Sequence, residues 1–243
     1  MNRIYKKFVT CSFFVVGLMI ALNAFLFAAE EHAHGEPLKT FSEDPYYLTT
    51  CPVTGQALGS MGKPVVYNHD GREIRFCCSG CVEQFKKEPQ KFIDKVDKAM
   101  IKDQLPHYPL ETCLVTKQKL TAMGKAVDLI YKNRLVRFCC SNCVTEFTKN
   151  PEPILNQLNE ATIKKQKDDY PIANCIASGE KLGGSMGKPI DVVIANRLIR
   201  LCCPSCQKML QENPSEYLSK LDKADGTHDM KKDNHADHSG HQH

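Results

Sequence analysis

Residues 51–89 read CPVTGQALGSMGKPVVYNHDGREIRFCCSGCVEQFKKEP, and the chain then repeats this text twice with changes. Residues 113–151 read CLVTKQKLTAMGKAVDLIYKNRLVRFCCSNCVTEFTKNP, and residues 175–214 read CIASGEKLGGSMGKPIDVVIANRLIRLCCPSCQKMLQENP. The first cysteines of the copies, Cys51, Cys113 and Cys175, are 62 residues apart each time. Each copy holds one Cys, a gap of 25 or 26 residues, and then Cys-Cys-x-x-Cys. Met61, Met123 and Met186 each precede the paired cysteines by 16 residues, and Pro89, Pro151 and Pro214 each follow the last cysteine by eight. Self-similarity at a fixed period marks a repeat architecture, so the chain is read as three tandem units.

Within a unit the pattern changes period. After Met-Gly-Lys come β-formers, Val65, Val66 and Tyr67, then a turn-rich Asn68-His69-Asp70-Gly71. The return segment alternates Arg72, Ile74 and Phe76 with Glu73 and Arg75, which predicts a β-hairpin. The equivalent strands are Val127–Ile130 with Leu135–Phe138 and Ile190–Ile194 with Leu198–Leu201. Short helices are predicted to start near Ser79, Ser141 and Ser205, with Val82 and Phe85, Val144 and Phe147, or Met209 and Leu210 turned inward. A second helix follows each proline, because Pro suits a first helical turn. Phe92, Ile93, Val96 and Met100 recur there at helical spacing, as do Ile154, Leu155, Leu158 and Ile163. The expected fold class is α+β, each unit a β-hairpin with a Cys cluster followed by a helical hairpin. The units are bounded at 47–105, 106–168 and 169–224.

A unit of this size buries too little apolar surface for comfortable stability, so its four cysteines are read as a staple. Two chemistries compete. A structural Zn²⁺ site supplies about 10–16 kcal/mol of apparent binding free energy near neutral pH. Two disulfides supply about 2–4 kcal/mol each. Spacing favours metal: a strand end, a tight turn and a helix start bring thiols to one point, and the helix N-terminus favours thiolate. The adjacent pair Cys77-Cys78 cannot easily bridge, since neighbouring side chains diverge on an extended backbone. The candidate ligands are Cys51, Cys77, Cys78 and Cys81; Cys113, Cys139, Cys140 and Cys143; and Cys175, Cys202, Cys203 and Cys206. Four thiolates suit zinc, and two or three suit Cu(I). Met61, Met123 and Met186 offer a thioether at a fixed place in each unit, and are read as core filler beside Gly. Arg75, Arg137 and Arg200 are read as strand surface.

The ends carry different signals. Arg3, Lys6 and Lys7 precede a twenty-residue apolar run at 8–27, and Ala28-Ala29 then lead to Glu30-Glu31. Residues 1–29 are therefore read as a secretory signal peptide or an N-terminal membrane anchor, and either exports the rest. An exported chain sits in an oxidising compartment, which favours disulfides. Without those three cations, 29 basic residues face 28 acidic ones, which gives no reason to expect a nucleic-acid partner. Residues 30–46 form a linker containing EEHAHGE, and 225–243 form a His-rich tail with His228, His235, His238, His241 and His243. Both tails are expected to be disordered, and the tail imidazoles to capture Zn²⁺, Cu²⁺ or Ni²⁺. His69 and His107 have no counterparts in the other units and are expected at the surface.

CPVTGQALGSMGKPV followed by GREIRFCCSGCVEQFKKEP resembles the YHS domain and the related TRASH domain, small cysteine-based metal-binding modules. The specific part is the aromatic-Cys-x-x-x-Cys step before a helix with Phe. It maps onto Phe76, Cys77 and Cys81; Phe138, Cys139 and Cys143; and Leu201, Cys202 and Cys206. The resemblance implies a hairpin with a treble-clef-like metal site. The literal Tyr-His-Ser signature is absent, and where many members have Pro-Val-Cys-Gly this chain has Cys51 before Pro-Val and Thr54 in the second position. The expected function is a secreted or periplasmic protein holding copper, zinc or another soft metal ion for tolerance, storage or delivery. A metal transporter or acceptor protein is its expected partner, and the N-terminal segment, if retained, its only membrane contact. The alternative is a disulfide-stapled interaction module. No paired catalytic carboxylates, nucleophile elbow or phosphate loop are present, and Cys78-x-x-Cys81 lacks a thioredoxin-like βαβ setting, so an enzyme is not expected.

Overall fold

A computed structural model of the chain describes residues 43–226. The signal or anchor segment, most of the linker, and His228, His235, His238, His241 and His243 lie outside them. The described chain is α+β and built as three repeated units. In the first, β1 (Val65–His69) and β2 (Arg72–Phe76) pair antiparallel, followed by α1 (Ser79–Lys87) and α2 (Pro89–Gln104). The second has β3 (Val127–Tyr131), β4 (Arg134–Phe138), α3 (Ser141–Lys149) and α4 (Glu152–Gln166). The third has β5 (Ile190–Ile194), β6 (Arg197–Leu201), α5 (Ser205–Glu212) and α6 (Pro214–Ala224). No described helix is long and apolar enough to cross a membrane.

The hairpins turn as their sequences require. Two residues separate the strands, and both take positive φ: Asp70 and Gly71, Lys132 and Asn133, Ala195 and Asn196. That is a type I′ geometry, which matches strand twist and favours Gly and Asn. The inner face of each hairpin packs on its helices. Phe76 and Phe85 lie 5.2 Å apart with Phe92 beyond, and Phe138 lies 5.3 Å from Phe147. In the third unit Leu201 and Leu210 take those places, beside Tyr217 and Leu218. Met209, expected inward, is instead exposed, because the helix turns Leu210 to the core and Met209 to solvent.

The units share a polar centre that unites them. Their hairpin tips converge, and their strand-opening arginines are buried with partners from other units. Arg72 donates to Asp97 of its own unit at 2.6 Å and to Asn133 of the next at 2.7 Å. Arg134 forks onto both oxygens of Asp44 at 2.6 Å and reaches the carbonyl of Val193 in unit three. Arg197 pairs with Asp103 of unit one at 2.9 Å and with Asp222 of its own unit at 2.9 Å. Asp44 also accepts the backbone N–H of Ala195 at 2.7 Å, so one carboxylate ties the N-terminal segment to units two and three. Asp44 and Tyr46 are buried, and the packed region thus begins upstream of residue 47.

The long helices close this centre with their last residue. Gln104 donates to the carbonyl of Asn133 and accepts from the N–H of Leu135. Gln166, one period later, does the same to Asn196 and Leu198. Each turn Asn then reaches back: Asn133 donates to the carbonyl of Glu73, and Asn196 to that of Leu135. Arg75 donates to the carbonyls of Gln211 and Glu212, which joins unit one to unit three.

Removing one partner of a buried ion pair leaves an uncompensated charge, which costs about 3–5 kcal/mol. Asp44→Ala is expected to destabilise the whole described region by that order, read as a lower urea midpoint in one cooperative transition. Loss of the second and third units in a separate, earlier step would contradict a shared centre.

Candidate metal centres

Each centre is assembled from a tight loop and a strand-to-helix junction. In unit one the loop is clipped by a bridge between Thr50 and Ala57, with Cys51 N–H donating to Gln56 and Gly55 N–H to Cys51, both at 2.8 Å. The reversal needs positive φ at its fourth step, supplied by Gly55 (φ 74), Lys117 (φ 61) and Gly179 (φ 79). The second piece is the end of the return strand. Cys77, Cys139 and Cys202 follow β2, β4 and β6 directly, and Cys81, Cys143 and Cys206 lie in the first turn of α1, α3 and α5. The strand ends beside the loop, so sulfurs distant in sequence meet.

They meet closely. The sulfurs of Cys51, Cys77 and Cys81 all lie within 4.8 Å of one another, as do those of Cys113, Cys139 and Cys143 and of Cys175, Cys202 and Cys206. All nine are buried. Cys77 and Cys81 are 3.5 Å apart, and Cys139–Cys143 and Cys202–Cys206 are 3.7 Å apart. Thiolates about 2.3 Å from one zinc ion at tetrahedral angles would be about 3.8 Å apart. A disulfide needs about 2.05 Å. The twelve described cysteines carry free thiols, and the donor set fits a soft or borderline cation.

The electrostatics agree. Burial alone would raise the thiol of Cys51, but backbone N–H groups of Cys77, Thr54 and Val53 and the Thr54 hydroxyl outweigh it and bring it down to about 7. Cys113 and Cys175 are held at about 7 by the same balance of burial against loop donors. The helix cysteines move the other way: burial, neighbouring thiols and the nearby first cysteine push Cys81 and Cys143 up, and Cys206 up to about 12. Each cluster thus prepares one thiolate and resists further charge. A cation removes that resistance, and its binding drives the remaining protons off.

Cys78, Cys140 and Cys203 lie outside these groups of three. They are half-buried, and each sits 3.6 Å from the helix cysteine three residues on. Hydroxyls stand beside the strand-end sulfurs: Thr54 is 3.6 Å from Cys77, Thr116 is 3.3 Å from Cys139 and Ser178 is 3.3 Å from Cys202.

Other expectations divide. Met61, Met123 and Met186 are exposed at 63%, 69% and 55%, not core filler, because the loop before each hairpin projects from the fold. Arg137 and Arg200 lie on the strand surface over Tyr108 and Tyr170, paired with Asp128 and Asp191. Arg75 pairs with Glu73. His69 and His107 are half-buried, and His69 packs its edge on Phe85. Sequence reading missed the tyrosines at the same period, Tyr108 and Tyr170, whose hydroxyls accept the N–H of Arg137 and Arg200 and so brace the strands that deliver the cysteines. Their spacing of 62 residues, shared with Gln104 and Gln166, was a signal available in the text.

No protein-family model, curated protein or solved structure matches this chain.

Cys113→Ser is expected to lower the capacity for tightly held metal by one ion per chain and leave the other two centres filled, as read by native mass spectrometry after anaerobic loading.

Proposed function

We propose that the chain is an exported, multi-site binding protein for a soft or borderline metal ion, copper or zinc, acting in metal tolerance, storage or delivery rather than in catalysis. One observation carries the reading: three buried cysteine triads, each with sulfurs at metal-bridging separation, recur with the repeat. The likeness of each unit to YHS and TRASH modules supports it, as does the basic-then-apolar start for export. Three buried thiols complete a trigonal set for Cu(I), whereas Zn²⁺ would complete its tetrahedron with water. The His-rich tail adds imidazole donors that collect ions at lower affinity. A metal transporter or acceptor protein is the natural partner of such a chain.

Protein purified anaerobically is expected to carry up to three tightly held ions, measured by metal analysis together with native mass spectrometry. Substituting Cys77 and Cys81 with their equivalents should abolish that content and lower the thermal midpoint. Six disulfides in the non-reduced native protein, with no metal, would point to the stapled interaction module instead.

A further inference from the structure

We infer that Cys78, Cys140 and Cys203 are exchange thiols, through which a metal ion passes between each buried triad and a soft-metal carrier presenting thiolate or thioether ligands. The inference deepens the metal-binding reading and rests on it.

An ion held by Cys51, Cys77 and Cys81 has ligands that are 1%, 3% and 5% exposed, and the other triads are equally enclosed. No outside ligand can replace all three sulfurs at once, so release must proceed one bond at a time. Each triad has one further thiol in reach, and it is the one partly open to solvent. Cys78 is 3.6 Å from Cys81, Cys140 is 3.6 Å from Cys143 and Cys203 is 3.6 Å from Cys206. That is ligand-to-ligand spacing, so one small rotation lets the outer sulfur share an ion with the inner one.

The fold keeps this thiol apart from the triad. It falls on the residue after the strand-end ligand, and on extended backbone successive side chains diverge. Cys78 and Cys140 sit at φ −158° and ψ 167°, fully extended, immediately before α1 and α3. Cys77 therefore points inward while Cys78 faces the rim. The same division recurs in all three units, although the residues between Cys78, Cys140 or Cys203 and the helix cysteine change from Ser-Gly to Ser-Asn to Pro-Ser.

The rim also indicates the partner's chemistry. Met61, Met123 and Met186 are exposed on the loop leading into each hairpin. Val65 pairs with Phe76, Val127 with Phe138 and Ile190 with Leu201, so these loops enter at the hairpin end that carries the cysteines. An exposed thioether and a half-exposed thiol at one end suit a carrier of soft ions. In the exchange the outer thiol bonds the ion and gives its proton to water, while a departing triad sulfur takes one from water. The carrier's ligand then replaces the outer sulfur in the same way, and no electron is transferred.

The test uses the full chain and the variant C78S/C140S/C203S, each loaded anaerobically with Cu(I) and, separately, with Zn²⁺. Metal content is measured first, then the rate of release to excess colorimetric chelator. The expected result is an unchanged content of three ions with release slowed about tenfold or more, equal to about 1.4 kcal/mol on the barrier. The single variant C78S carries its own control: about one third of the metal should leave slowly and the rest at the wild-type rate. Unchanged release from a fully loaded variant overturns the exchange role and leaves the metal-binding reading intact. Loss of ions from the variant overturns it too, by making the outer thiols permanent ligands. A wild-type chain that holds neither metal overturns the binding reading and this inference with it.

Discussion

Each hairpin in this chain has two strands of five residues, which is marginal by itself in water. Its two ends are held by different means. At the tip, a buried arginine opens the return strand and needs charge and hydrogen-bond partners that its own hairpin cannot offer. Arg72, Arg134 and Arg197 find them in Asp97 and Asn133, in Asp44 and Asn159, and in Asp103 and Asp222. Those partners come from several units, so satisfying three buried cations brings the tips together. At the other end, the strand finishes in a cysteine that must meet a sulfur from a distant loop.

The tip centre is not fully symmetric, and the reason can be traced. Arg72 donates its Nε to the turn residue Asn133. The equivalent nitrogen of Arg134 turns to Asp44 instead, and Asn196 Oδ1 has no hydrogen-bond partner among the described residues. Asp44 takes Arg134 with both its oxygens, while Gln104 and Gln166 close the tips of the second and third units.

The cysteine ends face a charge problem. Backbone N–H groups favour the thiolate of the loop cysteine in each cluster, while burial and the neighbouring thiols push the helix cysteine up. Three sulfurs within 4.8 Å cannot all ionise without a cation. The fold therefore supplies three converging sulfurs and one donor-stabilised thiol in each cluster. The Thr54, Thr116 and Ser178 hydroxyls beside the strand-end sulfurs add polarity without adding charge.

Much of this was legible in the text, because it depends on local spacing. The hairpins, the helix starts at Ser79, Ser141 and Ser205, and the gathering of twelve cysteines into three sets of four follow from periodicity and from a repeat that occurs three times. The separation of Cys78 from Cys77 was not legible, since adjacent letters do not say which side chain points inward; strand pleat and helix direction assign that. The exposure of Met61, Met123 and Met186 was misread for the same reason, as a loop's projection depends on what packs beneath it. The arginine centre was invisible in one copy of the repeat. A buried charge is tolerated only when partners arrive from elsewhere, and Arg134 with Asp44, 90 residues apart, are brought together by packing alone.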